Sequence, residues 1–284
     1  MHIVVCLKQV PRDNSVKIRP DLTIDAEGIE KIINLFDEYA LEEGIRWNEQ
    51  HGGKVTALSI GTSDWVEQLR RALAMGATDA LLLSDPAFTQ LDPITAARVA
   101  AAAVRKLGDV DLVITGRNST DDESGAFAPA LARLLGWPQV TYVGKVLELQ
   151  RSFDPLRVIE PDWQVTCVGK VLELQPGGML KVERHLESVI ETVACRLPAV
   201  MSVIKDINEP RYPSLLKIKR VAKVEPPVWT AADLGLNATD LTPTAQLVER
   251  VPPPPRPKGE IIDGPDAATK VRKLVDKLLE YQVI

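Results

Sequence analysis

Short runs rich in Val, Ile and Leu alternate with longer amphipathic stretches through the first half of this chain, and no other feature constrains the fold as strongly. Residues 3–7, 55–60, 80–84 and 112–115 read as buried strands bounded by Gly, Asp and Ser. The segments between them read as helices. The first starts near Asn34, whose side chain is placed to accept from the N–H of Asp37, and runs through Glu38, Glu42 and Glu43 towards Gly52. The second takes Ser63 as its cap and stops at Met75 and Gly76. The third opens at Asp92-Pro93 and closes at Lys106-Leu107-Gly108, with Pro in the first turn and Gly just beyond the last. Strands joined by helical crossovers make a parallel sheet covered on both faces. The expected class is therefore α/β, a doubly wound and mostly parallel sheet.

With 284 residues and a formal charge of −5, the chain has ample material for a core and no concentrated basic face to suggest nucleic acid. It contains no run of roughly 18 apolar residues, the length of a membrane span, and Met1 to Val5 enter a strand pattern at once. A cytoplasmic protein without a signal peptide is expected. Cys6, Cys167 and Cys195 show no metal-like spacing with His2, His51 and His185, so buried reduced thiols are expected and no metal. GxSxG, GxxxxGK[ST] and GxGxxG are all missing, which argues against a hydrolase or a P-loop enzyme.

From about residue 138 the pattern changes to strand-like segments at 140–143, 165–168, 180–183 and 188–193, expected as antiparallel additions to the sheet. Gln139 to Gln150 recurs at Gln164 to Gln175, an offset of 25 residues, with only Tyr142 and Cys167 differing. One such repeat is too short for a solenoid; it reads as a local duplication or as a flaw in the sequence itself. If both copies exist, one forms an extra edge hairpin or loop, with Phe153-Asp154-Pro155 as the turn. Beyond Asn208 proline accumulates, culminating in Pro252 to Pro255 and Pro257, which reads as an extended arm. A last helix is expected between Pro265 and Tyr281, with Val271, Leu274, Val275, Leu278 and Leu279 on one apolar face that must dock on the sheet domain or another chain. The organisation is thus a nucleotide-binding α/β domain over 1–207, carrying the duplication, and a recognition loop, arm and helix over 208–284.

The segment Gly116-Arg117-Asn118-Ser119-Thr120-Asp121-Asp122-Glu123-Ser124-Gly125 lies between a strand and a helix. Such a junction places backbone N–H groups and a positive helix end at the carboxyl edge of the sheet, where open α/β folds bind nucleotides. Thr120 to Glu123 fits a capping box. Its carboxylates should face ribose hydroxyls, backbone donors or solvent, leaving phosphate to backbone N–H groups.

Whole-chain motifs then identify a relationship: Val5-Cys6-Leu7-Lys8-Gln9-Val10, Asn34-Leu35-Phe36-Asp37-Glu38-Tyr39-Ala40-Leu41-Glu42, Ala72-Leu73-Ala74-Met75-Gly76-Ala77, the loop above, Leu197-Pro198-Ala199-Val200, and Asn208-Glu209-Pro210-Arg211-Tyr212-Pro213-Ser214-Leu215. Together they resemble the β subunit of electron transfer flavoprotein. The resemblance implies an adenine nucleotide alpha hydrolase-like fold, structural AMP in this chain, and FAD held mainly by an α subunit in a heterodimer. It further implies an electron carrier without catalysis of its own, serving acyl-CoA or other flavin dehydrogenases and a quinone oxidoreductase or similar acceptor.

By this resemblance the AMP pocket comprises Cys6, Asn34, Leu35, Phe36, Asp37, Ile60, Gly116, Arg117, Asn118, Ser119, Thr120, Asp121, Asp122, Glu123, Ser124, Gly125, Ala126 and Phe127. Many relatives carry polar side chains at the positions of Gly125-Ala126-Phe127, so here phosphate would rely on Ser124 and backbone N–H groups. Electron-bifurcating members instead place a second FAD in this site, with Gly in the stretch where this chain has Asp122; the bulk and charge of Asp122 favour AMP. Arg211, Tyr212, Pro213, Ser214 and Leu215 match the partner-recognition loop, with Leu215 as anchor and Lys217, Lys219, Arg220 and Lys223 as a flanking basic strip. An adenylating ligase or ATP pyrophosphatase of the same superfamily would need a phosphate loop at Lys8 to Arg12, which is not one. A self-dimerising nucleotide sensor is a further alternative, against which the long arm favours a different chain as partner.

Overall fold

The computed structural model describes residues 1–12, 17–19, 24–25, 28–89, 91–150, 178–186, 189–245 and 259–283. The chain divides into two compact units: Met1–Lys17 with Ile24–Leu247, and Ile18–Thr23 with Val248–Ile284. The second repeat copy, Cys167, the strand expected at 165–168, the turn at 153–155 and the prolines at 252–257 lie outside the described residues.

In the first unit β1 (His2–Leu7) is buried throughout, as expected of an apolar run covered on both faces. Short strands β2 (Gln9–Pro11), β3 (Lys17–Ile18), β4 (Ile24–Asp25) and β5 (Lys31–Ile33) precede α1 (Leu35–His51), and β2 pairs antiparallel with β5. There follow β6 (Lys54–Ile60), α2 (Val66–Met75), β7 (Asp79–Leu83), α3 (Pro93–Leu107), β8 (Leu112–Gly116) and α4 (Phe127–Leu135). The later strands are β9 (Gln139–Gln150), β10 (Met179–His185), β11 (Ile190–Arg196) and β12 (Ala199–Val203); α5 (Leu215–Val221) and β13 (Val228–Trp229) complete the unit.

Among the described residues the main sheet has nine strands in the order β11-β10-β9-β12-β8-β1-β6-β7-β13. All neighbours from β9 to β13 run parallel, while β10 pairs antiparallel with β9 and β11 antiparallel with β10. The alternation of β1 sends Ile3, Val5 and Leu7 into a core shared with Leu41 and Ile45 of α1 and Met75 of α2. Val4 and Cys6 face the other way, towards Ala97, Ala100 and Val104 of α3 and Leu131 of α4. Each fully buried Leu or Ile in these layers stabilises the fold by about 2 kcal/mol. Close approach of α1 to β1 depends on Gly44, where an added Cβ would lie 3.0 Å from Val5 Cγ2. The expected doubly wound class is realised, with helices on both faces.

Several local expectations give way to tertiary contacts. The side chain of Asn34 does not cap α1; only its carbonyl accepts from the Asp37 N–H, at 2.9 Å, because the amide is committed elsewhere. Ser63 begins a 3-10 turn, Ser63–Trp65, that folds Trp65 onto Gly61 and delays α2 to Val66. Thr120 to Glu123 forms no helix start: α4 begins at Phe127, and Glu123 takes a left-handed φ of 52°. β9, expected as antiparallel, runs parallel to β12. β12 and α5 were not foreseen, the first because its motif read only as a family signature.

Asp92 does cap α3, accepting from the N–H groups of Ile94 and Thr95 at 2.8 and 2.9 Å, and it also holds the N–H of Thr244 at 2.5 Å. Burial opposes its ionisation, but the N–H donors of Thr95, Thr244 and Ala245 outweigh that and hold the carboxyl at about 2. The folded value lies below the ordinary 3.8, so this stabilisation is full above about pH 4 and is lost as pH falls towards 2. Asp92→Ala should cost about 1–2 kcal/mol in urea unfolding at neutral pH. The gap to the parent chain should narrow below about pH 4; a constant gap would refute the charge contribution.

The second unit contains α6 (Ala267–Glu280), capped by Asp266, and its Val271, Leu274, Val275 and Leu279 are exposed in this chain. No helix among the described residues is long and apolar enough to cross a membrane, and none of their His, Cys, Asp and Glu side chains cluster as a metal site.

Candidate functional site at the switch point

The winding of the sheet reverses at β1. The connection through α1 carries the chain to β6 on one side, and α3 returns it across β1 to place β8 on the other. At such a reversal the loops leaving the carboxyl ends of the two strands part and open a crevice. A cavity of about 440 Å³ lies there, bordered by Cys6, Leu7 and Lys8 at the end of β1, Ile60 and Gly61 at the end of β6, and Gly116 to Ser119 at the end of β8. That volume is in the range of small-ligand sites.

Asp37 joins the two diverging strands. One carboxylate oxygen accepts from the Lys8 N–H at 2.8 Å and the other from the Gly116 N–H at 3.0 Å. Asn34 works alongside it, donating from its amide to the Asn118 carbonyl at 2.9 Å and accepting from the Thr120 N–H at 3.1 Å. The start of α1 thereby sets the path of the loop after β8. Gly116 is required by space: an added Cβ would lie 2.5 Å from Asp37 Oδ1 and 2.8 Å from the Phe36 carbonyl carbon.

Burial pushes the Asp37 carboxyl up to about 7, against the N–H donors of Lys8 and Gly116 and the Lys8 charge, which favour the ionised form. With the folded value above the ordinary 3.8, its contribution to stability is full below about pH 4 and is lost as pH rises through about 7. Urea unfolding should therefore show the parent chain losing stability relative to Asp37→Asn between about pH 4 and pH 7. A difference that stays flat or grows across that window would refute the assignment.

Charge around the cavity is arranged in two groups. The Lys8 ammonium donates to Asp121 at 2.7 Å, Asp122 at 3.0 Å and the Ser119 hydroxyl at 3.1 Å. Burial pulls the Lys8 ammonium down, yet the two carboxylates outweigh it and hold it above its usual value. Asp122 is likewise held low, because the Ser124 N–H and Lys8 overcome its burial. The Arg117 guanidinium lies over the rings of Phe36 and Tyr142, with centroids at 5.2 and 5.5 Å. Among the described residues the N–H groups of Asn118, Ser119 and Gly125 donate to no protein acceptor, which leaves backbone donors for an anion. Trp65, Phe88, Leu91, Ala96, Ala100 and Phe127 add apolar surface to the cavity wall.

Of the expected pocket residues, Cys6, Asn34, Asp37, Ile60, Gly116, Arg117, Asn118, Ser119, Asp122, Ser124, Gly125 and Phe127 line the cavity. Leu35 turns outward and is half exposed, and Phe36 supports Arg117. Thr120, Asp121, Glu123 and Ala126 shape the loop from behind: Thr120 through Asn34, Asp121 through Lys8, Glu123 by donating its N–H to the Ser119 carbonyl, and Ala126 by leading into α4. Lys8, Trp65 and Phe88 were missed. Each follows the carboxyl end of a parallel strand, so the rule that such loops converge could have found them.

The expected partner segment lies on α1. The Arg211 guanidinium grips Glu42 at 2.9 Å and Glu49 at 2.5 Å, and Asn208 donates to Glu43 at 2.9 Å. Arg211 is therefore an internal clamp. Beyond it Tyr212 and Leu215 are 91% and 78% exposed, and Ser214 caps α5, which carries the exposed Lys217, Lys219 and Arg220.

The electron transfer flavoprotein domain family matches residues 21–234. The chain is similar to an electron transfer flavoprotein subunit beta of Thermoanaerobacterium thermosaccharolyticum, 37% identical over 290 residues and covering 100% of both chains. The subunit beta of Clostridium acetobutylicum is 35% identical over 291 residues, again with 100% of both chains covered. The caffeyl-CoA reductase-Etf complex subunit CarD of Acetobacterium woodii is 31% identical over 290 residues and also covered from end to end.

Proposed function

The chain belongs to the electron transfer flavoprotein family, and from that premise we propose that it is the β subunit of a heterodimeric electron carrier, with AMP in the switch-point cavity. One arrangement carries the reading: Asp37 and Asn34 link the β1 and β8 ends beside a cavity whose lining includes both unpaired backbone donors of the loop and apolar side chains. The backbone donors, with Arg117 next to them in the chain, suit a phosphate, and the apolar side chains suit an adenine ring. Asp122, drawn across the loop by Lys8 and Ser124, narrows the space that a larger dinucleotide would need. AMP contributes structure, not redox chemistry.

The FAD that moves the electrons is held mainly by the α subunit. This chain's part is to shape that complex. The apolar stripe of α6 and the arm before it dock on the α subunit. Tyr212 and Leu215, displayed by the Arg211 clamp, meet dehydrogenases, while the basic strip on α5 steers acidic partners. Electrons from acyl-CoA or other flavin dehydrogenases then pass to a quinone oxidoreductase or similar acceptor, in the cytoplasm.

Co-expression with the α subunit, denaturation of the purified complex and counting of released nucleotides test the proposal. One FAD and one AMP per heterodimer are expected. Two FAD would overturn the AMP assignment, and failure to form any complex would overturn the subunit assignment.

A further inference from the structure

Lys8 occupies an unusual position in the first unit. It is the first residue beyond β1, yet its ammonium reaches three positions of the loop after β8, at Ser119, Asp121 and Asp122. Within the loop, Asp122 accepts from Ser124, Ser124 accepts from Ala126, and Glu123 donates to Ser119. Among the described residues, Lys8 is the one group outside the loop and α4 that hydrogen-bonds residues 121–126. That stretch walls the cavity through Asp122, Ser124 and Gly125, and it bears three successive carboxylates. Without a cation across from it, the stretch would be tethered only at its ends and would repel an anionic ligand.

We propose that Lys8 is a latch: by pairing with Asp121 and Asp122 it holds the loop closed on the cavity and sets how long an anionic nucleotide is retained. The retention half of the proposal rests on the nucleotide reading above, whereas the closure half stands on this geometry alone. Lys8 acts here as a positioning residue, through the loop. Both ends of the latch are partly exposed, so salt should weaken it.

The test uses the full chain, its Lys8→Met and Lys8→Arg variants, and the Asp121→Asn/Asp122→Asn double variant. Hydrogen exchange of residues 120–126 reports closure, and dissociation of a fluorescent N-methylanthraniloyl-AMP probe reports retention. Lys8→Met should speed both by roughly fivefold, the scale of a small exposed ion-pair network, and Lys8→Arg should restore them. Raising salt from about 0.05 to about 0.5 M should speed probe release from the parent chain but not from Lys8→Met. Should Lys8→Met fail to fold, the double aspartate variant opens the same latch from the other side.

Unchanged exchange at 120–126 in both Lys8→Met and the double variant overturns the latch. Faster probe release with unchanged exchange also overturns it, by making Lys8 a direct phosphate ligand. If the parent chain holds no AMP probe while exchange still responds to Lys8, closure is supported and the nucleotide reading fails.

Discussion

Gly116→Val is expected to leave a chain that accumulates mostly in insoluble form, and Gly116→Ala one that folds with about 2–3 kcal/mol less stability and reduced nucleotide content. The first methyl group would already lie 2.5 Å from Asp37 Oδ1 and 2.6 Å from the Phe36 Cβ. It also meets the Phe36 backbone at 2.8 Å, and backbone cannot swing aside as a flexible side chain can. The clash forces Asp37 off the Gly116 N–H, undoing the link between β1 and β8 that opens the cavity. Gly136→Ala provides the contrast. Gly136 has open space around its missing Cβ but a left-handed φ of 72°, so its substitution should cost only about 1 kcal/mol and leave nucleotide content intact. Urea midpoints and nucleotide counts on the three variants decide it; equal costs at 116 and 136 would refute the packing argument.

Arg211→Met is expected to destabilise the chain by about 3 kcal/mol and to open residues 208–216 to proteolysis. The loss comes mainly from Glu42, whose side chain is only 5% exposed and would be left buried without the hydrogen bonds of the guanidinium opposite. Arg211 also accounts for the display of Tyr212 and Leu215, since its backbone N–H donates to Glu42 at 3.1 Å. Arg211→Lys should recover only part of the loss, because an ammonium cannot serve Glu42 and Glu49 with one planar fork. In a double-mutant cycle, adding Glu42→Gln to Arg211→Met should cost little more than Arg211→Met alone. Additive costs would show that the pair is not what pins the segment.

The two variants probe what was differently legible in the sequence. The residues of the cavity were named mostly through resemblance, and the local reasoning attached to them was less secure. Asn34 was expected to cap its own helix, and its amide instead spans to Asn118 and Thr120, contacts more than eighty residues away in sequence. Thr120 to Glu123 has the residue types of a capping box, yet Lys8 and Ser124 claim Asp122, and Glu123 turns left-handed. Arg211 reads only as part of a partner-recognition loop, and its pairing with two carboxylates of α1 was not legible in the sequence. Asn34, Asp122 and Arg211 each take a partner distant in sequence that local patterns do not reveal.

Alternation of apolar runs with amphipathic stretches was sufficient to determine the doubly wound class, because burial of β1 on both faces is written into consecutive residues. The Asp92-Pro93 helix start was equally local, since a cap and its N–H groups lie within three residues. Only the tertiary structure decided that Lys8 would meet Asp121, 113 residues later, that Asp37 would bridge two strand ends, and that β9 would run parallel to β12. Propensity and capping act over one or two turns of chain, but these pairings depend on strand order, and strand order is set by how the whole core packs.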